Sequence, residues 1–487
     1  MIRKTLMISA ALLALAGCDN SPINLGQGGE SAAASSVAEQ FREALAQAPK
    51  HGLTVDMFLK GDVEAAGEAQ LRQAVAGLAS ALAMGKSDPA KLREVYTLPR
   101  PKVDVQAGFE QAVAENRVVE WLNSLAPQTD EYRKLSQAFV HYVDLAAKTP
   151  DTNIPQGEPM EPGANDPRVP AVVEALKAGG YMTAQPKQGD AQQPTENASA
   201  SAPAATEYTA EVAEGVKRMQ QDFGLEPDGV IGTDTLKAVN TSAKDRARQL
   251  AVALERLRWL DRQAPATRID VNTAAAFLNY WRDGQLVDER RVVVGQPDWE
   301  TPPLGSPIFQ LVANPTWTVP ESIEKDELAG KGAAYFRANN MVRKNGRIVQ
   351  QPGPKNSLGQ VKFDMKNTEA IYLHDTPHKQ IFAQNERHRS HGCVRVHNAI
   401  QFAQLLAQSN GVLDEFNKAL ASGDETFVDL KTEIPVRLLY HTAYVGTDGK
   451  IHFSQDAYGW DNDVAAALGY ARKQAPRRGH DSADVGP

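Results

Sequence analysis

The residues best equipped for chemistry lie in one heptad, Ser390-His391-Gly392-Cys393-Val394-Arg395-Val396. A cysteine nucleophile needs a base within reach, donors for an oxygen that becomes anionic, and a tight turn that exposes the sulfur. Gly392 permits an unusual backbone angle beside the thiol. The Cys393 N–H, set at a strand–helix junction, can point to where an oxyanion forms, a donor worth about 3 kcal/mol of transition-state stabilisation. Ser390 and His391 flank that turn as supporting groups. Arg395 brings positive charge that can lower the thiol pKa, pair a substrate carboxylate or support the loop. Five of the ten histidines (His374, His378, His388, His391 and His397) fall within 24 residues. Such density also suits a metal, but no second Cys, HxH or HExxH pair accompanies it, so neither metal nor cofactor is expected. His374 ends the apolar run Ala370-Ile371-Tyr372-Leu373, a rigid strand end suited to a base. The polar, flexible neighbours of Cys393 argue against a thiol in a dry core.

The chain has 487 residues and two cysteines, Cys18 and Cys393. At Arg3 and Lys4 a positive segment precedes the apolar run 5–17, too short to span a bilayer. It ends in Leu15-Ala16-Gly17-Cys18, which resembles the lipobox of bacterial lipoproteins, so Cys18 is the expected lipidation site. Asp19 resembles an inner-membrane retention signal. Cys393 is then unpaired in a disulfide-forming compartment, a liability unless the thiol acts or is inert. The net charge of −8 does not suggest nucleic acid as a partner.

The elements that must position these groups follow from periodicity and punctuation. Residues 1–18 read as a lipoprotein signal peptide and 19–35 as a tether. Apolar spacing predicts helices over 37–48, 68–83, 105–125 and 131–147, a scaffold domain of 36–149. A Pro/Gly-rich linker, 150–166, precedes helical segments around Val169–Tyr181 and Tyr208–Phe223. The low-complexity stretch 184–206 reads as a disordered insertion. The Asp228-Gly229 and Ile231-Gly232 turns are expected to supply left-handed conformations before a last short helix. This order resembles a three-helix peptidoglycan-binding domain, spanning 167–241. A connecting helix, 242–266, carries Leu250, Leu254 and Leu257 on one amphipathic stripe. From 267 to 457 the texture is mainly β, with a hairpin at Asp283-Gly284, a strand at 436–445, and a helical insertion at about 321–345. Residues 471–487 read as a disordered tail. The fold class is thus multidomain α+β.

The run Ile371-Tyr372-Leu373-His374-Asp375-Thr376-Pro377 followed by the Ser390–Val396 heptad resembles the catalytic signature of the L,D-transpeptidases, the YkuD fold. Supporting pieces are Val292–Gly295, the run 314–320 around Trp317, and Tyr440, Thr442 and Ala443. The domain order is similar to that of the large periplasmic members. The resemblance implies Cys393 as nucleophile and His374 as general base and proton donor. Tyr372, Trp317 and Arg395 are the expected substrate-binding residues. It further implies 3→3 cross-linking of wall stem peptides through a Cys thioester, carbapenem sensitivity, and peptidoglycan stem and glycan as partners. The same residues suit an L,D-carboxypeptidase or an enzyme that attaches or detaches a lipoprotein. A non-catalytic wall tether is the reading from another class. The expected place is the periplasm, anchored to membrane through Cys18.

Overall fold

The computed structural model describes residues 36–149, 151–182 and 206–473. The expected signal, tether and Cys18, the insertion up to residue 205 and the tail beyond 473 lie outside the described residues.

The first helices run Val37–Leu45, Glu68–Met84, Val105–Ala114, Val118–Leu125 and Asp130–Lys148. Asp104 and Thr129 cap two of them by accepting from the Ala107 and Tyr132 N–H groups. Their apolar stripes, including Phe41, Leu78, Leu122 and Leu135, close one core around a further helix, Ala243–Trp259. That helix departs from the amphipathic expectation, since nearly every side chain from Arg246 to Trp259 is buried. Part of its polar face is neutralised inside the protein. Glu255 and Arg258, both fully buried, pair at 2.7 Å. Glu255 also accepts from the Ser87 N–H and hydroxyl at 2.7 Å each. Arg258 donates to the His51 carbonyl and the Tyr132 hydroxyl. A buried ion pair is tolerated only when its remaining donors and lone pairs are satisfied in this way.

Helices Val169–Ala178, Ala210–Asp222 and Thr233–Val239 form a small separate core around Val172, Leu176, Val216 and Ile231. Gln220, 1% exposed, knits the turn between the last two. It donates to the Asp228 carboxylate, the Val230 carbonyl and the Thr235 hydroxyl, and accepts from the Gly229 N–H. Gly229 is left-handed (φ 77°), as expected. Gly232 is not: at φ −82° it is the extended N-cap of the last helix, so only the first turn requires a glycine.

The mainly-β part uses β1 (Arg268–Asn272), β2 (Phe277–Arg282), β3 (Gln285–Gly295), β4 (Leu304–Ala313), β5 (Trp317–Thr318), β6 (Met341–Lys344) and β7 (Arg347–Gln350). Then come β8 (Val361–Met365), β9 (Leu373–His374), β10 (His388–Ser390), β11 (Val394–Val396) and β12 (Thr426–Leu439). The main sheet runs β10-β3-β11-β9-β8-β4-β12-β1-β2, and β2 also pairs with β3, so the sheet closes on itself. Residues 285–291 of β3 serve β2, and 292–295 serve β11 and β10. Asp283 and Gly284, at φ 52° and 79°, make the expected hairpin. Helix Ala399–Ser409 lays Phe402 and Leu406 into the core with Ile269, Leu278 and Phe363.

Two expectations change. The strand foreseen at 436–445 is broken after Leu439, and β13 (Ala443–Val445) pairs with β14 (Ile451–Phe453). Ala443 and Phe453, with Val464, Ala465 and Leu468 beyond them, enter the helical core rather than the sheet's. The insertion is not purely helical. Helices Glu321–Asp326 and Ala333–Ala338 are followed by the β6–β7 hairpin, turned by Asn345-Gly346 at φ 50° and 82° and joined to β5. Its own core, from Trp317 to Leu358, includes Val319, Ile323 and Leu328.

Candidate active site

Two very short strands place the chemistry. β9 and β11 run parallel, with Leu373 opposite Val394 and His374 opposite Arg395. Alternation along a strand then puts Tyr372, His374, Cys393 and Arg395 on one face. His374 is fully buried, and its Nδ1 lies 2.5 Å from the Asp375 carbonyl. A carbonyl can only accept, so Nδ1 carries the proton and a neutral ring keeps its lone pair on Nε2. Asp375 is itself fixed. Its N–H donates to the Val361 carbonyl, and its carboxylate accepts from the Gln360 N–H and from Lys379. A Cβ at Gly359 (φ 61°) would come within 2.3–2.6 Å of the Asp375 side chain, so this loop tolerates only glycine.

The turn before Cys393 is locked from several sides. Gly392 sits at φ 108°, a conformation closed to other residues. The Ser390 hydroxyl donates to the Cys393 carbonyl at 2.6 Å and accepts from the Gly392 N–H at 3.2 Å. The Thr301 hydroxyl donates to the Gly392 carbonyl and accepts from the Gly295 N–H, each at 2.8 Å. Ser390 therefore shapes the turn.

The sulfur is covered, contrary to the expectation of a turn that exposes it. Cys393 is 5% exposed, and its Sγ lies 3.7 Å from the carbonyl of Ala370, a left-handed residue at φ 55°. Burial pushes the thiol up to about 11, against smaller lowering contributions from Tyr372, Lys362 and Arg395. At rest it is a protonated thiol, because desolvation disfavours the charged form more than nearby cations favour it. The Tyr372 hydroxyl hydrogen-bonds Cys393, and burial followed by that sulfur raises it well above the usual tyrosine range. The Tyr372 and His374 rings are 5.7 Å apart.

The cover includes the insertion. Tyr372 packs against the Trp317 core, and Glu327 of the insertion pairs with His391 Nε2 at 2.7 Å. The His391 ring also meets Trp299 in an edge-to-face contact, with centroids 4.9 Å apart. Two of the expected substrate-binding residues are covered as completely as His374 and Cys393 themselves. Trp317 and Arg395 are each only 1% exposed, so as placed they serve the core and the strand rather than an open cleft wall. His388 leans on Tyr458 and His397 on Phe382, away from the thiol's own contacts. Among the described residues no three His, Cys, Asp or Glu side chains gather as metal ligands would.

Sequence reasoning assigned no role to Asp375, Thr301 or Glu327. Asp375 stands beside His374 in the quoted run and acts through its backbone carbonyl. Thr301 and Glu327 carry no local signal.

Residues 266–430 match the family described as the L,D-transpeptidase catalytic domain, YkuD. Residues 165–239 match the "Putative peptidoglycan binding domain", and 19–139 match a scaffold domain. A curated relative from Haemophilus influenzae, named "Putative L,D-transpeptidase", is 33% identical over 223 residues. That match covers 41% of this chain and 45% of the relative, so the chain spans about half the length of the curated relative it matches. Solved L,D-transpeptidase structures from Xylanimonas cellulosilytica and Stackebrandtia nassauensis are 14% and 13% identical. They cover 59% and 60% of this chain, and 100% and 97% of their own, with TM-scores of 0.19 and 0.22.

Proposed function

We propose that this chain, which carries an L,D-transpeptidase catalytic domain beside a peptidoglycan-binding domain, is a cysteine acyltransferase that forms 3→3 cross-links between wall stem peptides. The supporting observation is the pair His374 and Cys393 on one face of β9 and β11, with the His374 tautomer set by the Asp375 carbonyl. His374 Nε2 takes the Cys393 proton as the sulfur attacks the carbonyl of the third stem residue. The C–N bond to the terminal residue breaks, and the imidazolium protonates the departing amine. A thioester remains. The side-chain amine of a neighbouring stem attacks it, losing its proton to His374, and the thiol is regenerated. The oxyanion donor in this scheme is the Cys393 N–H, aimed by the Gly392 turn. Because the thiol rests protonated, proton transfer to His374 belongs to the attack itself rather than to a standing ion pair.

The insertion acts as a lid that keeps water from the thioester. Water as acceptor would make the site a carboxypeptidase, and a lipoprotein amine would make it an attaching enzyme. Carbapenems acylate the same sulfur in this reading. The chain is a periplasmic lipoprotein, lipidated at Cys18 and held at the inner membrane. Purified protein incubated with disaccharide-tetrapeptide, beside Cys393→Ala, tests the proposal by mass spectrometry. Cross-linked dimer lost in the variant supports it. Tripeptide alone points to the carboxypeptidase, and no turnover with binding intact points to a tether.

A further inference from the structure

A second cleft lies away from the thiol's contacts, with a volume of about 600 Å³, a size that suits a ligand. Its walls come from the small three-helix core (Lys237), the connecting helix (Arg246, Arg248), β10 (His388) and the C-terminal segment (Asp456, Lys473). Its carboxylates are engaged. Asp461 holds Arg256 and the Thr442 hydroxyl. Asp234 pairs with Lys237, Asp245 with Lys473, and Glu386 with His388. Asp456 accepts from the Tyr440 hydroxyl and is pushed up to about 6, by burial first and by Asp461 next.

Two cations in the wall form no direct ion pair among the described residues, although Asp245 acts on Arg246 at longer range. Arg246 is 6% exposed, and its guanidinium lies over the Phe223 and Phe453 rings at 3.7 and 4.4 Å. Among the described residues its side chain hydrogen-bonds the neutral Gln249, and its Nε has no partner there. Arg248 is 9% exposed, donates to the neutral Asn462, and its Nε also has no partner. Among the described residues neither guanidinium has a carboxylate within ion-pair distance. Buried charge without a counter-ion is costly unless a ligand supplies one, and a guanidinium fork suits a carboxylate. Burial draws the Arg246 pKa down to about 10.

We propose that this cleft is a second binding site for a carboxylate-bearing stem peptide of the wall, seated by Arg246 and Arg248 between the peptidoglycan-binding helices and the catalytic sheet. The proposal rests on reading the chain as a wall enzyme. β10 connects the two places: His388 lines the cleft, and Ser390 at the strand's end shapes the Cys393 turn. A stem held here would keep its glycan strand beside the thiol while a different stem reacts.

The test is hydrogen exchange on the full mature chain carrying Cys393→Ala, with disaccharide-tetrapeptide as probe. Protection is expected across 242–249 and 453–462 as well as around 371–396. Arg246→Gln and, separately, Arg248→Gln should weaken the first protection at least tenfold while leaving the second. Both variants should keep the parent's far-UV spectrum and the protection around 371–396, with Arg246→Gln melting lower because it also gives up its ring contacts. A probe with amidated carboxylates should lose the cleft protection, and glycan without stems should not produce it. Protection around 371–396 alone would overturn the second site and leave the catalytic reading standing. Equal protection by stemless glycan would overturn the carboxylate assignment. No protection anywhere would overturn the second site, and the cross-linking assay on Cys393-intact protein would then judge the catalytic reading independently.

Discussion

Removing the charge at Glu327 should awaken a thiol that is otherwise nearly inert. Burial holds Cys393 near 11 where an open thiol has 9.0, so at pH 8 the thiolate fraction is about one in a thousand instead of about one in ten. That is roughly a 100-fold handicap toward any reagent that attacks the thiolate, or about 3 kcal/mol at 1.36 kcal/mol per unit. Glu327→Gln neutralises the 2.7 Å contact that ties the insertion to His391, two residues from the sulfur. If that contact holds the cover down, water reaches Cys393, the pKa falls back toward 9, and alkylation speeds up by as much as about 100-fold. The assay is iodoacetamide labelling followed by mass spectrometry from pH 7 to 11 on protein beginning after Cys18, in which Cys393 is the sole cysteine. The wild-type rate should climb tenfold per pH unit until about 11, and the variant should level off nearer 9. A wild-type profile that levels at or below 9 would refute the burial argument. A variant profile identical to wild type would refute the latch. The sign for stability follows from the same shift. Below pH 9 folded and unfolded thiols are both protonated and nothing is lost. Between 9 and 11 only the unfolded thiol ionises, so the folded state loses stability as pH rises through that window.

Three further outcomes are expected. His374→Ala should slow carbapenem acylation of Cys393 by about 10²–10⁴-fold with an unchanged far-UV spectrum, read by intact-mass kinetics. Gly392→Ala forces a Cβ onto a φ of 108°, so it should cost about 1–3 kcal/mol in urea unfolding and lose most activity through the distorted turn. Glu255→Ala strands the fully buried Arg258, and should lower stability by about 3–5 kcal/mol in the same assay while Cys393 chemistry in the surviving folded fraction stays normal.

The helical and hairpin skeleton was readable because its signals are local. Asp283-Gly284 announces a turn by composition alone, and the stripes of 37–48 and 131–147 announce helices by spacing. Asn345-Gly346, flanked by Met341–Lys344 and Arg347–Gln350, carries the same hairpin signal as Asp283-Gly284. The helical texture before it drew the reading of the whole insertion, so the β-half was missed. The connecting helix misled for a different reason. Its arginines and glutamate look like a solvent face, and only the tertiary arrangement supplies Ser87, His51 and Tyr132 to satisfy Glu255 and Arg258 inside the core.

The resting state of Cys393 was beyond reach of its own neighbourhood in the sequence. Ser390, His391, Gly392 and Arg395 are polar or flexible, and local composition of that kind predicts a wet thiol. Those groups instead turn their polarity inward. The Ser390 hydroxyl is spent on the Cys393 carbonyl and the Gly392 N–H. The imidazole of His391 is taken by Glu327. Arg395 lies buried opposite His374. Against the sulfur stand the Tyr372 hydroxyl and the Ala370 carbonyl, and Tyr372 is itself packed on the Trp317 core, whose residues end at Leu358. A nucleophile read from sequence is therefore a statement about which atom can react. Whether it is ionised at rest depends on what the rest of the chain lays over it, and here desolvation outweighs every nearby cation. The cover that shields the thiol from oxidants and stray electrophiles would, in the proposed reaction, have to move before a stem peptide reaches it, so opening of the insertion precedes proton transfer to His374.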